Sequence, residues 1–220
     1  MSKSKMYAHF CPVARSLEVI GEKWSLLIVR DLLRAPLRFT DLKKYVGGIT
    51  PKWLSLRLQE LERVGIVERQ SQPGRREVWY QLTEKGRGLE PVIAGLAVWG
   101  IDHAMRAPAP GEPIYPEQTL SAMTTYLNAS GYKLRRPAAW DMKLGKTAHT
   151  LGFDGAKWKL SDGAVADADV AVEASPEAWV GMLTASPAQR AKLIDRLRIV
   201  GSALAIREFK HTLTRRDSLS

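Results

Sequence analysis

The sequence predicts an α+β protein in two parts. Three observations carry that reading. The stretch RAPAPGEPIYPEQ, residues 106–118, holds four prolines and one glycine, a composition that favours a semi-extended linker because proline fixes φ and lacks the N–H. Ahead of it, apolar residues recur mostly at helical spacing, with one pair of alternating strands. Behind it, alternating segments mix with helical ones. The expected division is residues 1–106, a linker at 107–115, and residues 116–220.

Taken in order, residues 12–20 form a short helix. In residues 24–33, Leu26, Leu27, Val29, Leu32 and Leu33 repeat at helical spacing, until RAPLRF breaks the pattern. FTDLKKYV is a short helix that Thr40 would cap and Gly47-Gly48 would end. ITPKWLSLRLQELERVGIV, residues 49–67, begins another, with Thr50 as N-cap and Pro51 pre-set for the first helical position. GIVERQSQPGRREVWYQL gives two strands around a Pro-Gly turn, and LTEKGRGLEPVIAGLAVWGIDHAM returns to one helix capped by Thr83. In the second part, residues 116–128 are helical, residues 132–160 read as strands joined by turns, and ADVAVEA alternates as a strand. Ser175-Pro176 and Ser186-Pro187 repeat the device of Thr50-Pro51 and start two helices. LRIVGSALAIREF is either a strand turning at Gly201 or a bent helix.

Composition narrows the function. Of 220 residues, 45% are hydrophobic and 25% charged, ordinary values for a globular protein. No apolar run approaches the ~18 residues a membrane span needs, and MSKSKMYAHF has no apolar core of a leader, so the expectation is a cytoplasmic protein without a membrane partner. A single cysteine, Cys11, excludes an intramolecular disulfide and fits a reducing compartment. The net charge is +10, and residues 1–106 hold 18 Lys and Arg against 11 Asp and Glu. A basic first half suits an acidic partner such as nucleic acid. His9, His103, His149 and His211 are scattered without carboxylates or cysteine at metal-ligand spacing. Phosphate-binding glycine loops and the hydrolase nucleophile elbow are missing too. Asp167 and Asp169 read as solvated edge residues. The expectation is no enzyme, no cofactor and no metal.

The helix from Thr50 asks for a partner other than water. With Leu54, Leu58 and Leu61 on one stripe, Lys52, Leu56, Gln59 and Arg63 fall on the opposite side, with Ser55 at its edge. A short helix and a glycine turn precede it, which makes a helix-turn-helix arrangement. In such a unit the second helix enters the major groove of duplex DNA and its first residues meet base edges. Gln59 suits adenine, and Leu56 suits a thymine methyl. Arg75 and Arg76 at the hairpin tip suit phosphates or the minor groove. The candidate DNA-binding residues are Thr50, Lys52, Trp53, Ser55, Leu56, Gln59 and Arg63, with Lys43, Lys44, Arg75 and Arg76. A long apolar helix after the hairpin, carrying Leu89, Val92, Ile93, Leu96 and Trp99, suits pairing with a second copy.

CPVARSLEVIGEKWSLLIVRDLL, RFTDLKKYVGGITPKWLSLRLQELERVGIVER and YQLTEKGRGLEPVI resemble the HxlR-type winged helix-turn-helix transcriptional regulators of bacteria, over residues 10–104. The resemblance implies a homodimeric repressor or activator with the helix from Thr50 in the major groove. Leu56 departs from the polar or basic residue of many members, which puts the operator preference in doubt. Some members carry a cysteine just before the first helix as a redox switch; Cys11 matches that position, and it equally suits an inert packed thiol.

ADVAVEASPEAWVGML and RLRIVGSALAIREFKHTL resemble a sterol-carrier-protein-type domain, over residues 116–213. That resemblance implies a sheet with helices on one side around an apolar tunnel, and hence an apolar small-molecule effector. Trp140, Phe153, Trp158, Trp179, Met182 and Leu183 would line the tunnel, or would simply fill a core. Three functions fit: a DNA-binding regulator that senses such a ligand, a DNA-binding protein whose second part only assembles subunits, and a lipid-handling protein.

Overall fold

The computed structural model describes residues 7–71 and 77–214. The chain divides into two compact units, Met1–Ile93 and Ala94–Ser220. The division falls inside a helix, ahead of the linker expected at 107–115; residues 104–115 hold no helix or strand.

The first unit runs α1 (Pro12–Ile20), α2 (Ser25–Arg34), β1 (Leu37–Arg38), α3 (Phe39–Val46), α4 (Pro51–Arg63), β2 (Val67–Ser71), β3 (Val78–Leu82) and α5 (Glu84–Arg87), and α6 (Glu90–His103) begins in it. Its core gathers Ile28, Val29 and Leu32 of α2, Leu42 of α3, Leu54, Leu58 and Leu61 of α4, and Ile66 and Leu82 flanking the strands. Removing one Leu or Ile side chain from water is worth about 1.5–3 kcal/mol, so α4 is held chiefly by its leucine stripe.

Three details differ from the sequence reading. Thr40 lies inside α3, whose N-cap is Arg38; the Arg38 N–H donates to Asp41 Oδ2 at 3.3 Å, so an acidic side chain one residue further on serves the helix start. The strand pair is a three-stranded antiparallel sheet, β1-β3-β2, because Leu37 and Arg38 pair with Tyr80 and Trp79. The single helix expected from Glu84 is two, α5 and α6. Thr83 does cap α5, accepting from the Gly86 N–H at 3.1 Å, but its hydroxyl also donates to the Gly65 carbonyl at 2.6 Å. Those bonds tie α5 to the end of α4, and the chain turns again at Gly88 before α6 begins.

The second unit continues through α7 (Pro116–Ala129), β4 (Ala138–Leu144), β5 (Thr147–Phe153), β6 (Trp158–Asp162), β7 (Val170–Ala174), α8 (Pro176–Thr184), α9 (Pro187–Ile194), β8 (Arg198–Gly201) and α10 (Ala203–Thr214). The five strands form a mixed sheet of order β6-β5-β4-β7-β8, in which β4 and β7 are parallel and the other pairs antiparallel. LRIVGSALAIREF therefore resolves into a strand followed by a helix. Alternation sorts the faces. Trp140, Met142, Leu144, Leu151, Val170 and Val172 point to one side and are buried with residues of all four helices. Lys143 and Glu173 share the other side, 2.8 Å apart, and Arg198 reaches Glu173 at 3.1 Å. Asp169 is more engaged than expected of a solvated residue: it accepts from the Ala139 N–H at 2.9 Å and from Arg136 at 2.6 Å, joining the starts of β4 and β7.

Candidate nucleic-acid interface

The turn between α3 and α4 is built by Gly47 and Gly48, both with φ of 61°, a left-handed conformation that costs a residue with a Cβ about 1–2 kcal/mol. It ends α3 and releases the chain into Ile49, which is buried. Thr50 then caps α4, its hydroxyl accepting from the Trp53 N–H at 3.3 Å, and Pro51 takes the first helical position.

From that start the helix repeat sorts the side chains. Leu54, Arg57, Leu58 and Leu61 are buried, while Lys52, Trp53, Ser55, Leu56, Gln59 and Arg63 are exposed. Trp53 is 54% exposed and Leu56 42%. Lys52, Leu56, Gln59 and Arg63 follow one another at steps of four, three and four, so they share a single face. Among the described residues Lys52, Arg63 and Lys43 make no ion pair or hydrogen bond through their side chains, so their charge is available to an anion. Lys43 and Lys44 are exposed in the last turn of α3, with Lys44 Nζ 5.0 Å from the Tyr45 ring centre. Arg75 and Arg76 lie outside the described residues.

Two arginines near this face are structural, and the sequence reading did not single them out. Arg57 is buried and holds Glu60 at 2.7 Å, with Glu22 at 3.8 Å. Its spacing three residues from Leu54 was the available signal. Arg38 pairs with Glu77 at 2.7 Å and stacks over Trp79 at 4.7 Å, so its charge is spent within the sheet. Cys11 is the N-cap residue of α1 and partly exposed; no side-chain cap bond is made there.

The aromatic set expected to line a tunnel in the second unit is packed. Trp140, Phe153, Trp158, Trp179 and Met182 are all at most 2% exposed. The Trp140 ring lies 4.9 Å from Trp158 and 5.1 Å from Phe209, and Phe153 lies 5.1 Å from Trp158. Rings at those separations touch one another directly. Of the six expected residues, Leu183 borders an open cavity; its other walls come mainly from α7 and α10.

Residues 19–108 match the HxlR-like helix-turn-helix family. The HTH-type transcriptional regulator YdeP of Bacillus subtilis is 42% identical over 94 residues, spanning 41% of this chain and 71% of YdeP. YkvN of the same organism is 38% identical over 114 residues, 49% of this chain and 94% of YkvN. A crystal structure of the HTH-type regulator ytcD aligns at 37% identity over 44% of this chain and all of its own, with a TM-score of 0.42. These matches fall short of most of the second unit. The chain belongs to the HxlR family of DNA-binding, HTH-type transcriptional regulators.

Proposed function

We propose that the protein binds operator DNA as a homodimer, with α4 of each copy in the major groove. The observation that carries this is the outer face of α4: exposed Trp53 and Leu56 beside two cations, Lys52 and Arg63, that are unpaired among the described residues. Water is a poor partner for that mixture, whereas a groove floor with phosphate walls suits it. Thr50, Lys52, Trp53, Ser55, Leu56 and Gln59 meet base edges. Arg63, Lys43, Lys44, Arg75 and Arg76 meet the backbone. Support for a dimer comes from apolar side chains left in solvent: Phe10, Val13 and Leu17 at α1, and Val92, Leu96 and Trp99 on α6. Pairing such faces is the common way of removing them from water.

The second unit is read as a sterol-carrier-like effector domain, supported by its sheet with helices over one face and by an apolar cavity among those helices. Selection from a random duplex pool tests the DNA reading. An inverted repeat should emerge, with half-sites about one helical turn apart, and Gln59→Ala should change preference at one or two base pairs of each half. A pool that yields no motif contradicts it.

A further inference from the structure

The cavity in the second unit has a volume of about 550 Å³, within the range that holds small-molecule ligands. Its walls are largely hydrocarbon and aromatic: Ala122, Met123, Tyr126 and Leu127 of α7, Leu183 of α8 and Leu213 of α10, with Ile101 and Met105 beside them. Several polar wall atoms are already committed. The Thr119 hydroxyl donates to the Pro116 carbonyl at 2.8 Å and accepts from the Trp179 indole N–H at 3.2 Å. The Thr212 hydroxyl donates to the Glu208 carbonyl at 2.8 Å and so accepts from the Tyr132 hydroxyl at 3.1 Å. Ser130 Oγ donates to the Leu127 carbonyl at 3.1 Å. These bonds leave those groups little to offer a polar ligand.

One wall group differs. Lys133 is exposed, borders the cavity, and has no ion pair or hydrogen bond among the described residues. Among those same residues no acidic side chain lines the space. We propose that this cavity binds an amphipathic monoanion, a carboxylate with a hydrocarbon body, its chain along α7 and its head at Lys133. The site also suggests a route to the DNA-binding unit. Ile101 is on α6, and Ile93, two turns earlier on the same helix, packs on the core of the first unit. A ligand that presses on Ile101 and Met105 biases the position of that helix. This regulatory step rests on the operator-binding reading given above; the ligand site does not.

Calorimetric titration of dodecanoate, and of dodecanol as its uncharged counterpart, into the full-length protein tests the site. Dodecanoate should bind at one per chain and more tightly than dodecanol. Lys133→Gln should weaken dodecanoate by roughly fivefold, the scale of an exposed ion pair, and leave dodecanol unchanged. Ala122→Trp, which fills the cavity, should abolish both, with its unfolding midpoint measured to show that it folds. Absence of saturable binding, equal affinity for acid and alcohol, or wild-type behaviour of both variants overturns the proposal. Operator affinity of the ligand-free protein is measured separately, so failure of the DNA reading is distinguishable. With dodecanoate bound it should shift by ~5–150-fold, the usual range for such coupling; an unchanged affinity overturns the regulatory step.

Discussion

Single residues set two kinds of energy here, and they respond differently to substitution. Thr50 supplies one bond to an orphan N–H at the start of α4. Thr50→Ala should cost about 1 kcal/mol, read from the urea midpoint at unchanged slope. Asp169 works through charge. Partial burial pulls its pKa upward, but the Ala139 N–H and the Arg136 guanidinium outweigh that and hold it below the usual carboxylate value. A carboxylate whose pKa is depressed by folding stabilises above its unfolded pKa, near 3.9, and that contribution is lost as pH falls through the folded value. Asp169→Asn should therefore cost about 1–3 kcal/mol at pH 7 and should reduce the acid sensitivity of stability below about pH 4. Denaturant midpoints of both proteins between pH 3 and 7 check it; parallel curves would contradict the assignment.

Elements show where sequence patterns suffice. The Thr50-Pro51 start and the leucine stripe of α4 are local features, readable at steps of three and four, and both are present in the structure. So is the device at Ser175, whose hydroxyl accepts from the Ala178 N–H; at Ser186 the helix begins as expected, but the hydroxyl donates to Gln189 instead. What the pattern could not supply is anything set by distant partners. Strand β1 is two residues long and exists because β3 pairs with it. Arg57 on the buried stripe needs Glu60 and Glu22 to be tolerated. Aromatic residues on strands and helices look alike whether they line a space or fill it, and here rings from α10, β4, β5 and β6 close on one another while the open volume falls beside α7. That outcome depends on helix spacing, which no single segment encodes. The turn between α3 and α4 is also an element property. Gly47→Ala should destabilise by about 1–2 kcal/mol through its positive φ, since nothing crowds a Cβ there, and should weaken operator binding by altering how α4 is presented.

At the scale of the whole molecule, the proposed species is a dimer that reads sequence with one face of α4 and grips the backbone with surrounding cations. The exposed apolar side chains of α6 should be the pairing surface: Leu96→Glu with Trp99→Glu should shift the protein from dimer to monomer in sedimentation at micromolar concentration and weaken operator binding more than about tenfold, since each half-site would then be held alone. A wild-type protein that sediments as a monomer with and without DNA would remove the two-fold reading. The decisive measurement separates base readout from backbone grip, using DNA affinity against salt on operator and on unrelated duplex. Leu56→Ala with Gln59→Ala should lower operator affinity by ~10-fold or more, leave unrelated duplex almost untouched and keep the salt slope. Arg75→Ala with Arg76→Ala should weaken both duplexes alike and reduce the slope by ~0.9 for each phosphate no longer neutralised. If both double variants act equally on the two DNAs, α4 is not the reading helix.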